Sequence, residues 1–250
     1  MTDAIQNSDG YKAVKSAQGE DRSSYQPIGP WTADDFGFTK ATEGLTWTDP
    51  TFEANWKALR TQVKFRGAYH FLHLELGGEE QAAFFLSFVQ EHGGLEPGDM
   101  LVVDSEIMTG PDGALQAGDP ESRMASPNVT FPATLTGTGL AGDVTLAFLE
   151  KLGDLLGENK YRNPRLLYTN LSVAAVLGNC TEFDLWIAYP SFTAPPNVKP
   201  WENWRFWQWG WGGGQGGGDR DAYNGTLADL TEWIDSFKNS RVPDASSPSK

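Results

Sequence analysis

Cysteine is almost missing from this chain. Cys180 stands alone among 250 residues, which excludes an internal disulfide and any metal cage built from thiolates. Histidine is scarce too, with three in the whole sequence. His70 and His73 form an H-x-x-H pair with no third ligand near them, too little for a zinc site, so neither a metal nor a cofactor is expected. Basic residues are few: 19 Lys and Arg against 33 Asp and Glu leave a net charge of −14. Nucleic acid and anionic membrane surfaces are therefore not expected as partners, because both select a basic footprint. No stretch reaches the roughly 18 apolar residues of a membrane span. The opening MTDAIQNSDGYK has no apolar segment of the kind a secretory signal needs. The chain as written is expected to stay in a host cytoplasm until another route releases it, and to be a monomer.

Two familiar catalytic signatures are also missing. Ser23 and Ser24 have no nucleophile-elbow motif around them, which argues against a serine hydrolase. The glycine-rich run GWGGGQGGG (210–218) lacks the Lys-Ser/Thr of a phosphate-binding loop. It reads as flexible backbone near a site.

What is present is a hydrophobic content of 39%, enough for a sizeable core, with 10 Trp and 28 Gly. Indole rings suit the apolar faces of sugars, although they also fill cores. Residues 1–18 are polar and irregular, and RVPDASSPSK (241–250) is a Pro/Ser-rich tail or the start of a linker. Between them, at 19–240, strands alternate with helices. FGFTKAT (36–42), FRGAYHFL (65–72), MLVVDSE (100–106), PRLLYTN (164–170), DLWIAY (184–189) and RFWQWG (205–210) read as strands. Residues 50–63, 79–92, 143–156 and 227–237 carry helical apolar spacing, the third with an N-cap at Gly142 or Asp143. A Gly/Pro/Ser/Thr-rich stretch, 109–140, reads as a surface loop insertion. Alternation of this kind predicts an α/β fold with a mostly parallel sheet, and at this length a β/α barrel rather than an open sheet.

Barrel sites lie at the C-terminal ends of strands. The residues there are Lys40, Thr42 and Glu43; Tyr69, His70 and Phe71; Asp104 and Glu106; Tyr168 and Asn170; Trp186 and Tyr189; Trp207 and Gln208. His70 reads as a hydrogen-bonding residue. Asp104 and Glu106 are two apart, so strand alternation aims both at one face. Two carboxyls crowded together do not both ionise freely, and one should hold a proton near neutral pH. An acid beside a carboxylate is what glycosidic cleavage requires. Asp21, just ahead of the first strand, and Asp219, after the glycine run, extend the carboxyl set, although each taken alone reads first as a turn residue, or for Asp21 a cap.

Taken in order, DRSSYQ (21–26), FTKATEG (38–44), DPTFEANW (49–56), GAYHF (67–71), QAAFF (81–85), VVDSE (102–106), LLYTN (166–170), LWIAY (185–189), WQW (207–209) and GDRDAYNG (218–225) resemble the glycoside hydrolase family 25 lysozymes, the Chalaropsis-type muramidases. The resemblance spans about residues 19–237 and is specific as an ordered set. It implies a flattened, irregular, TIM-like β/α barrel with fewer helices than strands. It implies hydrolysis of the β-1,4 bond between N-acetylmuramic acid and N-acetylglucosamine in bacterial peptidoglycan, with the substrate acetamido group as internal nucleophile. Glu106 matches the general acid, Asp104 its partner carboxylate, and Asp21 and Asp219 the two further catalytic-site aspartates. Tyr69, Tyr168, Asn170, Trp186, Tyr189, Trp207 and Gln208 are the expected groove and hydrogen-bonding residues. Arg22 and Asp221 depart from the family pattern: Arg22 is expected to lower the pKa of Asp21, and Asp221 to raise that of one neighbouring carboxyl. The expected biological setting is a phage endolysin or a wall-remodelling enzyme. Two other readings stay open: a peptidoglycan-binding protein on the same barrel without turnover, and a chitinase-like hydrolase, whose longer D-x-x-D-x-D-x-E run is not found here.

Overall fold

A computed structural model describes residues 16–31, 34–106, 108–109, 115–116, 138–157, 160, 162–191, 193, 197–212 and 217–240. Along the chain run β1 (Gln18–Arg22), β2 (Phe36–Glu43), β3 (Trp47–Thr48), α1 (Phe52–Gln62), β4 (Phe65–Phe71), α2 (Gly78–Glu91), β5 (Met100–Asp104), β6 (Met108–Thr109) and β7 (Leu115–Gln116). Then follow α3 (Thr138–Leu156), β8 (Arg165–Asn170), α4 (Leu171–Ala174), β9 (Asp184–Ala188), β10 (Phe206–Gly210), β11 (Asp219–Tyr223) and α5 (Leu227–Lys238). Eight strands close into a barrel in the order β1-β11-β10-β9-β8-β5-β4-β2, with β1 pairing back onto β2 and β3 attached outside β2. Only β11 runs against its barrel neighbours, β10 and β1. Five α-helices serve these eight strands among the described residues, so the barrel is irregular and has fewer helices than strands.

Alternation along the strands divides the apolar residues into two sets. Phe36, Phe38, Met100, Val102, Leu166, Trp186 and Phe206 turn inward and form one cluster. The rings of Phe38 and Trp186 stack across the barrel with centroids 4.3 Å apart. Each such side chain contributes roughly 1.5–3 kcal/mol by leaving water, so the interior is held by aromatic packing rather than by the polar rim. Inward-facing Gly67 makes room for it: a Cβ there would lie 2.4 Å from the Phe38 ring. Ala68, Leu101, Val103, Leu167, Leu185 and Ile187 turn outward, under α1, α2 and α3. Helix α5 closes the end of the barrel where the parallel strands begin. Leu230 and Ile234 are buried there, and Trp233 meets the rings of Phe206 and Tyr223. A capping box between Thr226 and Asp229 starts that helix.

Several boundaries differ from those read in the sequence. Asp21 lies inside a strand, not ahead of the first one, and Asp219 and Asp221 belong to β11, not to a turn. Both strands are rich in charge, and their hydrophobic pattern is too weak to mark them. Gln18 already belongs to β1, and Ala17 beside it is buried. Helix α3 begins at Thr138, several residues before the expected cap. Of the 109–140 stretch, β6 with β7 and the first turn of α3 are described; its other residues lie outside the described ones, as do 1–15, 213–216 and the tail 241–250. No described helix is long and apolar enough to cross a membrane.

Candidate active site

The strand ends opposite α5 surround a cavity of about 350 Å³, within the range of small-ligand sites. Asp21 enters from β1, Lys40 from β2, Tyr69 and Phe71 from β4, Asp104 from β5, Tyr168 from β8, Trp186 from β9 and Gln208 from β10. Asp219 reaches the same rim because β11 runs backwards and starts there. Glu106 stands two residues beyond the end of β5 and still lines the cavity. Ser105 between them turns away, with its hydroxyl 2.9 Å from that of Thr145. The shared face expected for Asp104 and Glu106 is therefore present, although the strand ends at Asp104.

Hydrogen bonds order this polar set. Tyr168 Oη donates to Gln208 Oε1 at 2.9 Å, and Gln208 Nε2 donates to Asp21 Oδ2 at 2.7 Å. Trp186 Nε1 donates to Asp221 Oδ1 at 2.9 Å. Asp219 Oδ1 accepts from the Gly212 backbone N–H, which ties the glycine-rich segment to the rim. Asn170 caps α4, accepting from the N–H groups of Ser172 and Val173, and its amide nitrogen stands 3.5 Å from Glu106 Oε1.

The electrostatics follow from burial. The Asp104 carboxyl is pushed well above the usual carboxylate range, by desolvation first and by the nearby Glu106 second, with Lys40 pulling the other way. Its Oδ1 is buried without a hydrogen-bond partner. Asp21 is pushed up to about 7, again by burial and then by Asp219, against the hydrogen bond from Gln208. Asp219 is raised by burial, and Asp221 well raised by burial and then by Asp21 and Asp219. The acid–carboxylate crowding expected from the sequence thus extends to four aspartates.

Arg22 does not act on Asp21 as expected. Alternation turns it to the outer face of β1, where it pairs with fully buried Glu20 at 2.9 Å. It also donates to the carbonyls of Gly29 and Pro30 and lies over the Trp31 ring. Its charge is consumed there, and the Asp21 carboxyl rises instead of falling.

Of the expected groove residues, Tyr69, Tyr168, Trp186 and Gln208 line the cavity, and Asn170 reaches it through Glu106. Trp207 and Tyr189 do not. Both sit one residue out of phase with an inward neighbour, Trp207 before Gln208 and Tyr189 after Ala188. Trp207 is buried in the outer core with its Nε1 donating to the Tyr189 carbonyl, and Tyr189 packs against the same core. Ser23, Tyr25 and Gln26 line the cavity but were given no role from the sequence. Their signal was their position just beyond Asp21, legible only once β1 is known to be a strand. Lys40 and Phe71, noted as strand-end residues, also line it. Lys40 is paired with Glu43 at 2.7 Å, Glu43 with His73 at 2.9 Å, and His73 with Glu75 at 2.9 Å, a chain of charges leading away from the cavity. His73 is pushed up to about 9: burial opposes its charge, but the two glutamates outweigh it. His70 faces outward between Thr42 and Gln81, and burial holds its pKa down to about 3.

Comparison with known proteins agrees with this architecture. The family model described as glycosyl hydrolases family 25 matches residues 20–216. YegX of Escherichia coli (strain K12) is 28% identical over 209 residues, which cover 81% of this chain and 64% of that protein. The chain thus spans under two-thirds of that relative's length. The N,O-diacetylmuramidase of Chalaropsis sp is 29% identical over 238 residues, covering 89% of this chain and 98% of that one. The structure of a muramidase from Acremonium alcalophilum superimposes with a TM-score of 0.66 at 22% identity, covering 90% of this chain and 100% of that one. With the matched region holding Asp21, Asp104, Glu106 and the barrel strands up to β10, the chain belongs to the glycosyl hydrolases of family 25.

Proposed function

We propose that the protein is a lysozyme that hydrolyses the β-1,4 bond between N-acetylmuramic acid and N-acetylglucosamine in peptidoglycan. The observation that carries this reading is the pairing of Asp104 with Glu106 in one cavity, with Asp104 Oδ1 buried and lacking a donor. A buried acceptor without a partner is costly, by about 1–3 kcal/mol. A substrate acetamido N–H is a donor of the right kind to relieve it.

The mechanism follows from that vacancy. Near neutral pH the Asp104–Glu106 pair holds a proton that belongs to the pair rather than to either residue. An acetamido N–H donated to Asp104, together with the Lys40 charge, stabilises Asp104 as the carboxylate and leaves the proton on Glu106. Glu106 then protonates the leaving glycosidic oxygen while the acetamido carbonyl oxygen attacks C1. Asp104 supports the positive charge that develops on the acetamido group. In the second step water adds to C1 as the bond from C1 to the acetamido oxygen breaks, restoring the acetamido group, and the water gives its proton to Glu106. Asp21 and Asp219 add negative charge on the far wall, where an oxocarbenium-like centre is stabilised. Tyr69, Tyr168 and Trp186 offer faces and edges to the sugar rings.

The test is mass spectrometry of muropeptides after digestion of purified peptidoglycan by wild type and Glu106→Gln, with borohydride reduction of new ends. New reducing ends at N-acetylmuramic acid, lost in the variant, support the reading. Ends at N-acetylglucosamine assign a glucosaminidase instead. No new ends with retained wall binding would leave a glycan-binding barrel.

A further inference from the structure

Asp221 is a buried carboxyl that the mechanism above does not use. It is fully buried and does not line the cavity. Its Oδ1 accepts from Trp186 Nε1, whereas Oδ2 has no donor. Strand register sets Asp221 opposite Gly19 of β1 and Gln208 of β10, on the same inward face as Asp21 and one inward step along from the Asp21–Asp219 pair, and the Gln208 amide beside it donates to Asp21. Two ionised carboxylates so placed, away from water, repel strongly, and one proton between them turns repulsion into a hydrogen bond.

Which of the two keeps the proton follows from their surroundings. Asp21 opens onto the cavity and accepts 2.7 Å from Gln208, so it is the better place for charge. Asp221 is sealed behind it with one neutral donor. The titratable groups facing Asp221 are Asp21 on β1, Asp219 on its own strand and Tyr168 on β8, none of them cationic. Gln208 on β10 and Trp186 on β9 are neutral. Glu20 and Arg22 turn to the outer face of β1 and pair with each other, and Arg220 lies over the Trp209 ring.

We propose that Asp221 keeps its carboxyl proton at neutral pH and donates it as a hydrogen bond to Asp21, acting as a positioning residue that holds Asp21 as the charged wall of the site. The direction of the shifts agrees: burial raises both carboxyls, while their mutual contact raises Asp221 and lowers Asp21. The proton is a property of the resting protein; only its consequence for turnover rests on the lysozyme reading.

The experiment is carbon-13 NMR of the Asp carboxyl carbons of the whole chain across a pH titration, with Asp221→Asn to assign the resonance. One carboxyl carbon is expected to keep its protonated shift through neutral pH and to vanish in the variant. Ionisation of that carbon in the ordinary carboxylate range would overturn the proposal. In parallel, kcat/KM on soluble peptidoglycan is followed against pH. Asp221→Asn keeps a donor toward Asp21 at every pH, so its alkaline limb should move upward; Asp221→Val, with no donor, should lose about tenfold at pH values below that limb. An alkaline limb unmoved in Asp221→Asn would remove the positioning role. Lack of turnover in wild type would remove the lysozyme reading, and the NMR titration would still decide where the proton sits.

Discussion

Gln208 joins the two sides of the cavity: its amide oxygen accepts from Tyr168 on β8, and its amide nitrogen donates to Asp21 on β1, at 2.9 and 2.7 Å. With Asp21 ionised the two bonds fix the amide orientation, since a carboxylate cannot donate and the phenol has one proton to give.

Replacing Gln208 with Leu therefore breaks two buried bonds at once. Each unsatisfied partner costs about 1–3 kcal/mol. We expect kcat/KM on peptidoglycan to fall by at least about tenfold, with a smaller loss in Gln208→Asn. An unchanged kcat/KM in Gln208→Leu would show that Asp21 needs no such support.

Trp186 and Trp207 are both buried but should respond differently. Trp207 lies in the outer core, away from the cavity, so Trp207→Ala should cost about 3–5 kcal/mol of stability, or about 10 °C in Tm. Trp207→Phe should leave KM where it is. Trp186 lines the cavity, so Trp186→Phe should raise KM and, through the lost bond to Asp221, lower kcat. Calorimetry and steady-state kinetics on the same variants separate the two.

The raised Asp21 carboxyl ties function to instability. Its folded pKa, about 7, exceeds the ordinary 3.8. The folded state therefore binds the proton more tightly, and this part of the stability is complete below 3.8 and lost as pH rises through 7. Asp21→Asn should raise Tm at pH values above about 7 and change it little near pH 4, while turnover falls. A Tm gain of equal size at both pH values would mean that the carboxyl's charge is not the cause.

His73 has the opposite partner set. Its folded pKa of about 9 lies above the ordinary 6.5, because Glu43 and Glu75 outweigh burial. The stability it contributes is fully present below 6.5 and fades as pH rises through about 9. His73→Gln should be destabilised relative to wild type at pH 6, and the gap should close above pH 9. Melting curves at several pH values test this, and a pH-independent gap would assign His73 to packing alone.

Much of this site was legible in the sequence because strand periodicity is a local property. The apolar run Met100–Val103 ends at Asp104, and its buried strand aims that carboxyl and Glu106 into one cavity. Tyr69, Tyr168 and Trp186 follow from the same count. Where the phase was taken from the strand's end instead of its alternation, the reading failed: Trp207 and Tyr189 belong to the outer core. Strands β1 and β11 were missed because Asp21, Arg22, Asp219 and Asp221 make them look like loops.

The chain by itself determined the family, the inventory of carboxyls and the alternation of strands and helices between β2 and β10, since these depend on residue type and spacing along one segment. Only the tertiary structure decided what those carboxyls do to one another. Strands β1 and β11 lie side by side solely because the barrel closes, and closure brings Asp21, Asp219 and Asp221, some two hundred residues apart in sequence, into one water-poor wall. Closure likewise turns Arg22 outward to Glu20, so a neighbour in sequence leaves Asp21 unneutralised while distant carboxyls raise its pKa. Burial and through-space charge set protonation, and neither can be read from a linear order of residues.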